Sequence, residues 1–367
     1  MSRSLRGKRV LIVRLSSLGD LVLVLPTFWA IRKTYPDAHI AWLVQGSLRE
    51  LLEGTEGLDE IIPVELVSVT DKYTSPRRWA LGAWLWMRAV LELRRRFRYR
   101  AFDVVLEMQG LLKSALLAFL NPGGERYGFG NAREFSPLFL NRPVFHRDKT
   151  RHAVDNYLQF AAYFGCPTDR VEFPLYVPPK ARQRMADFLA SHGVKRGDFL
   201  VFLAATARWR TKFWHRDGFA KVADALVDRY GAKVVLSGLA AERPYLEGIR
   251  ERMRHEAVVA AGFTGIKDFL ALLERSQLYV GVDSGAMHAA RALGVPVVAL
   301  FGPSDPRWIG PYGQKGGVVR ADVPCSPCNR RRCRQRTCML EITPQMVLEE
   351  VERVMGGRFP SAEPRGT

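Results

Sequence analysis

The chain has 367 residues, with 55 Lys and Arg against 37 Asp and Glu and a formal charge of +18. That length exceeds one ordinary core and predicts two domains, and 47% hydrophobic with 25% charged residues is the balance of a soluble globular protein. No apolar run reaches the ~18 residues that cross a bilayer, and residues 10–13 are too short for the apolar core of a secretory signal. A cytoplasmic protein is expected, with a basic surface suited to polyanions such as phosphorylated substrates or anionic headgroups.

Strand and helix patterns alternate along the whole chain, which predicts an α/β protein with parallel sheets. In the first half strands are expected at 9–15, 39–45, 60–64 and 103–108. Helices are expected at 21–34, 47–52, 79–97, 112–120 and 152–164, with Pro26 either starting or kinking the first. The proline-rich stretch 173–179 reads as the linker, placing one domain at 1–173 and a second at 180–342. In the second half strands are expected at 199–204, 233–236, 258–261, 278–282 and 295–301. Helices are expected at 217–230, 243–254, 266–275 and 286–293. A last helix within 343–367 is expected to pack back toward the first domain.

Eight arginines and a single acid, Glu92, fall between Arg77 and Arg100. Within that stretch Trp79, Ala83, Trp86, Val90, Leu93 and Phe97 recur at intervals of four and three, with Arg88, Arg95 and Arg96 on the other side. The pattern predicts an amphipathic basic helix. It serves either as core packing with a solvated arginine face or as a contact for headgroups or a phosphate-bearing acceptor.

Two strand-to-helix turns carry candidate chemistry. The first, Ser16-Ser17-Leu18-Gly19-Asp20, has one glycine and so lacks the G-x-G-x-x-G of a dinucleotide site, which disfavours a dehydrogenase. Asp20 or Ser17 serves there as a helix N-cap, or Asp20 serves as a general base for an acceptor hydroxyl. The second, Asp283-Ser284-Gly285, presents backbone N–H groups and a helix N-terminus to a diphosphate, with His288 one turn on. Plain capping and a core histidine are the alternatives. Lys212, in the loop after another strand, is placed to reach the same diphosphate. No Asp-x-Asp pair occurs, so a carboxylate-held metal on the donor is not expected, and cations and helix N-termini would carry the leaving-group charge. Cys325, Cys328, Cys333 and Cys338 form a C-x2-C-x4-C-x4-C cluster among five arginines. Such a cluster suits a structural zinc, or reduced thiols, or a disulfide.

These segments resemble glycosyltransferase family 9, the bacterial lipopolysaccharide heptosyltransferases. The likeness runs from Arg9 to about Met355 and rests on RVLIVRLSSLGD (9–20), DVVLEMQGLLKS (103–114), REFSPLFLNR (133–142) and VDSGAMHAARALGVPVVALFGP (282–303). The middle two look most like the branch that adds the first heptose. The resemblance implies a GT-B fold of two facing Rossmann-like domains and inverting transfer from ADP-heptose to the 3-deoxy-octulosonate inner core of lipid A. It implies Asp20 as base, and Thr206, Lys212, Glu242, Asp283, Ser284, Gly285 and His288 as donor contacts. Acceptor contacts would be Ser17, Gly19, Lys113, Arg126 and Arg133. No catalytic cofactor is implied, and the expected setting is peripheral, on the anionic inner face of the inner membrane. The loop 205–212 is longer and more basic than the family's Thr-rich version.

Two rivals remain at this point. A sugar-nucleotide epimerase also uses two such domains. A nucleic-acid-binding protein is disfavoured because the arginines concentrate on one helix and one cysteine loop, with no recognised binding module.

Overall fold

Runs such as RVLIV (Arg9–Val13) and LVFLA (Leu200–Ala204) are buried along almost their whole length, and strands of that kind need helices on both faces of their sheet. The computed structural model describes residues 4–66, 76–263 and 265–359; the expected tail beyond 359 lies outside them. The chain divides into two units, Met1–Tyr176 and Val177–Thr367.

The first unit runs β1 (Arg9–Val13), α1 (Leu18–Thr34), β2 (His39–Gln45), α2 (Arg49–Leu52), β3 (Glu60–Val64) and α3 (Pro76–Tyr99). It continues with β4 (Val104–Glu107), α4 (Leu112–Phe119), β5 (Glu125–Phe129), β6 (Arg142–Phe145) and α5 (Ala153–Tyr163). Its six strands are parallel in the order β3-β2-β1-β4-β5-β6.

The second unit runs α6 (Pro179–Ser191), β7 (Leu200–Ala204), α7 (Arg216–Tyr230), β8 (Lys233–Leu236), α8 (Arg243–Arg250), β9 (Ala257–Val259) and α9 (Ile266–Arg275). Then follow β10 (Leu278–Val282), α10 (Gly285–Ala292), β11 (Val297–Leu300), α11 (Pro306–Ile309), β12 (Val318–Val319), α12 (Thr337–Leu340) and α13 (Pro344–Met355). Its order is β12-β11-β10-β7-β8-β9, also parallel. In both units the first strand lies between the second and the fourth, the Rossmann order. The loops leaving those two central strands diverge there and open a crevice at the strands' carboxyl ends. The crevices fall between β1 and β4 and between β7 and β10.

Two local differences from expectation have physical reasons. Helix α1 begins at Leu18 and passes through Pro26 without ending. The lost hydrogen bond and ring clash cost ~3 kcal/mol, and burial of Leu21, Val22, Val24, Leu25 and Phe28 offsets this at about 1.5–3 kcal/mol each. On α3 the buried line is Gly82, Ala89, Leu93 and Phe97, with Trp86 half-buried, while Trp79 and Ala83 are exposed. Helix α13 packs on the core of the second unit. Val347, Val351 and Val354 join the second unit's core with Leu226, Val298 and Val319, and Arg229 of α7 holds Glu352 at 2.8 Å.

Candidate active site

The crevice of the first unit is built on Arg14, the residue directly after β1. Its Nη1 donates to the Met108 carbonyl at 2.7 Å across the β1–β4 gap, and its guanidinium packs 5.4 Å from the Tyr157 ring centre. Its Nη2 holds Asp20 Oδ1 at 2.7 Å, the arginine side chain being 6% exposed and the aspartate 40%. Asp20 is the third residue of α1, and its Oδ2 accepts from the Ser17 backbone N–H at 2.9 Å and the Ser17 hydroxyl at 2.8 Å. Ser17 is the N-cap, so the capping reading and the open-facing carboxylate coexist in one residue. A carboxylate has about four lone-pair sites. These donors hold the group in place while its side chain stays 40% exposed.

Beneath this pair lies Glu107, fully buried at the end of β4. Its carboxylate accepts from the N–H groups of Gln109 and Gly110 at 3.0 Å. Burial raises its pKa above the ordinary range, against the pull of those hydrogen bonds and of Arg14. Arg147 donates to the Gln109 carbonyl at 3.3 Å and packs over Phe129 at 4.5 Å; burial lowers its pKa. The Nε atoms of Arg14 and Arg147 are buried without a hydrogen-bond partner. Arg14, Glu107, Arg147 and Tyr157 were missed in the sequence. The one available signal was a charged residue, Arg14, immediately after a strand with an otherwise apolar interior.

The expected acceptor residues divide. Ser17 touches Asp20, and Gly19 is buried in the first turn of α1. Lys113 and Arg133 are exposed, and Arg133 precedes Glu134 and Phe135, which take left-handed φ values of 60° and 56°, a conformation that costs non-glycine residues of order 1–3 kcal/mol. Arg126 is spent on the scaffold. Its Nε and Nη1 donate to the carbonyls of Phe139 and Gly123 at 3.1 and 3.2 Å, over the Phe119 ring at 5.1 Å.

The second unit repeats the arrangement. Lys212, after β7, holds Asp283, after β10, at 2.5 Å across the crevice, with side chains 14% and 4% exposed. The ammonium also lies 4.9 Å from the Trp209 ring centre. Ser284 caps α10, its hydroxyl 3.3 Å from the Tyr279 hydroxyl. Gly285 opens the helix, and Thr206 and His288 are buried at the same strand ends. Glu242 follows the neighbouring strand β8, half-buried, its Oε2 accepting from the Leu239 N–H at 2.7 Å. A basic side chain paired with an acidic one at a helix N-terminus is an anion site in waiting, since an incoming phosphate takes the lysine and the N–H groups together.

A family model described as glycosyltransferase family 9 (heptosyltransferase) matches residues 90–339. The chain belongs to glycosyltransferase family 9. It is accordingly an enzyme, a glycosyltransferase. Among its relatives, "Lipopolysaccharide heptosyltransferase 1" of Pseudomonas aeruginosa is 27% identical, covering 95% of this chain and 98% of its own. "Lipopolysaccharide heptosyltransferase 2" of Salmonella typhimurium is 25% identical over 95% and 98%. The solved structure of E. coli heptosyltransferase WaaC with ADP-2-deoxy-2-fluoro heptose matches with a TM-score of 0.70 and 24% identity, covering 94% of this chain and 99% of that one. That likeness speaks for the fold.

In this family 9 chain the cysteine loop lies against the loop after β7. Arg331 packs over Trp209 at 4.9 Å, and Arg336 donates to the Phe213 carbonyl at 3.3 Å. All four of its cysteines are free thiols, with Cys338 buried; burial and then the charges of the other three raise the Cys338 pKa. Among the described residues no group of three or more His, Cys, Asp or Glu is set to hold a metal ion.

Proposed function

We propose that this protein transfers heptose from ADP-heptose to the octulosonate inner core of lipid A, with Asp20 as general base. The observation that carries this reading is the matched pair of crevices. One offers an exposed carboxylate held in place by a buried arginine, and the other offers a lysine and a helix N-terminus suited to a diphosphate.

In the proposed reaction the second unit binds the donor. Lys212 keeps Asp283 and turns its remaining N–H groups to phosphate oxygens, and the Ser284–Gly285 turn supplies N–H donors where charge builds up as ADP departs. The acceptor hydroxyl oxygen forms a bond to the anomeric carbon. The bond from that carbon to the diphosphate oxygen breaks, its electron pair leaving with ADP, and the hydroxyl proton passes to Asp20. A single displacement of this kind inverts the anomeric centre and needs one base and no enzyme nucleophile. Arg14 keeps the carboxylate aimed, the kind of orientation from which an enzyme draws much of its rate. Thr206, His288 and Glu242 are assigned to the donor's phosphates and sugars, and Lys113 and Arg133 to the anionic acceptor.

The acceptor is a lipid, and the described residues contain no helix long and apolar enough to cross a membrane. A peripheral position on the anionic inner face of the inner membrane fits both. The similarity to a relative named heptosyltransferase 2 supports a second reading, addition of a later core heptose. Mass spectrometry of products from ADP-heptose and lipid A bearing either octulosonate alone or octulosonate already carrying one heptose separates the two. Addition to the heptose-free acceptor supports the first reading, and addition only to the heptosylated one supports the second. Isomerisation of the donor without any acceptor would point instead to an epimerase.

A further inference from the structure

Helix α3 has two apolar stripes on opposite sides, and the sheet covers one of them. Leu93 and Phe97 enter the core beside Leu11, Leu43, Ile62 and Val105, with Trp86 and Val90 packed against it. On the opposite side Leu81, Trp84, Met87 and Leu91 follow at spacings of three and four, and Trp84, Met87 and Leu91 are each more than half exposed. Arg88 and Arg95 lie in the same stripe, and the Arg88 guanidinium sits 5.6 Å from the Trp84 ring centre. Trp84, Met87, Arg88, Leu91, Glu92 and Arg95 line a shallow groove.

A helix face that remains in water is normally polar, and large apolar residues gathered on it mark a contact surface. Two features decide the occupant. The exposed side of the helix carries Arg88 and Arg95 against one acid, Glu92, a basic balance that complements an anionic surface. A second copy docking through the same stripe would bring arginines against arginines. Alternating apolar and basic side chains are what a helix lying in the plane of an anionic bilayer uses, the rings and aliphatic chains at the acyl boundary and the guanidinium groups on lipid phosphates.

We propose that the outward stripe of α3 seats this enzyme on an anionic lipid surface. Trp84, Met87 and Leu91 enter the headgroup layer while Arg88 and Arg95 bind lipid phosphates. The proposal rests on the reading of the acceptor as a lipid, and it names the surface that meets the membrane.

The test is sedimentation of the full chain with vesicles of phosphatidylcholine alone or mixed with phosphatidylglycerol, without sugar nucleotide. The wild type is expected to bind the mixed vesicles, more weakly as salt rises, and to ignore phosphatidylcholine alone. Arg88→Gln with Arg95→Gln should weaken binding about 25-fold, at roughly fivefold per arginine. Trp84→Ser with Leu91→Ser should weaken it at least as much, with unchanged melting temperature and unchanged transfer to a delipidated acceptor. Wild type that ignores the mixed vesicles, or variants that bind as it does, would overturn the proposal. So would a dimer in analytical ultracentrifugation that the Trp84 and Leu91 substitutions dissociate. Vesicle binding lost in these variants, with no heptose transfer by wild type to any acceptor, would remove the proposed function and leave this surface standing.

Discussion

Replacing Lys212 by Met should be far more damaging to the fold than replacing Asp283 by Asn, although the two side chains share one ion pair. Asp283 is 4% exposed and Lys212 14%. Without the lysine, Asp283 is a buried charge facing nothing, and breaking a buried pair in this way costs about 3–5 kcal/mol. For a unit of this size ~2–4 °C of melting temperature is lost per kcal/mol, so the drop should be roughly 6–20 °C. Asp283→Asn leaves the ammonium with a route to water along its flexible stem, and its cost should be the smaller. The double variant should be less damaged than Lys212→Met alone, because the stranded charge is gone. Donor binding adds a second readout. At a hundredfold excess over Kd, ADP should stabilise the wild type by ~2.7 kcal/mol, roughly 5–11 °C, and this gain should largely vanish in Lys212→Met. Differential scanning calorimetry with and without ADP measures both. A Lys212→Met protein that melts with the wild type and still gains the full ADP shift would refute the bridged-crevice account of the second unit.

Arg14→Met should lower kcat about 10–100-fold while leaving the KM for the donor unchanged, because it loosens Asp20; steady-state kinetics with a wild-type kcat would contradict the positioning role. Arg14→Lys should not restore the rate, since one ammonium lacks the planar fork that serves the Met108 carbonyl and Asp20 together. Acid should weaken the cap of α7. His215 Nδ1 accepts from the Gly218 N–H at 2.8 Å, and burial holds its pKa below the ordinary value. The neutral cap's contribution is therefore complete above about pH 6.5 and lost as pH falls through that value toward the folded-state pKa. From about pH 7.5 to 5 the wild type should lose melting temperature relative to His215→Asn, whose uncharged amide caps the helix throughout; a constant difference would contradict the assignment.

The parallel strands that carry both crevices were legible because fully apolar runs such as Leu278–Val282 have few other uses. Strands β5 and β6 were not. ERYGF and RPVF contain glycine, proline and charges, and β6 is an exposed edge whose register shifts against β5. Helix α6 was not expected at all, and Pro179 was read as linker although proline favours the first helical turn. The three-residue error at the start of α1 mattered more. It left Asp20 beside the helix, whereas the residue completes a capping box within the first turn. Asp20, Lys212 and Asp283 were singled out from their places after strands, and the last two meet in one ion pair. Arg14, Glu107 and Arg147 converge from β1, β4 and the segment after β6, and no spacing along the chain announces a contact of that kind. The packing of α13 was only partly legible for a similar reason. Its apolar period declares a buried face but not which core receives it.

The claim beneath the whole account is a division of labour, with proton removal in the first unit and donor binding in the second. Single-turnover transfer by Asp20→Ala, paired with calorimetric titration of ADP into the same variant, tests it most directly. The account predicts heptose transfer slowed at least ~100-fold and an ADP affinity equal to that of the wild type. Transfer at the wild-type rate would contradict the assignment of the base, and ADP affinity lost together with transfer would contradict the division between the units.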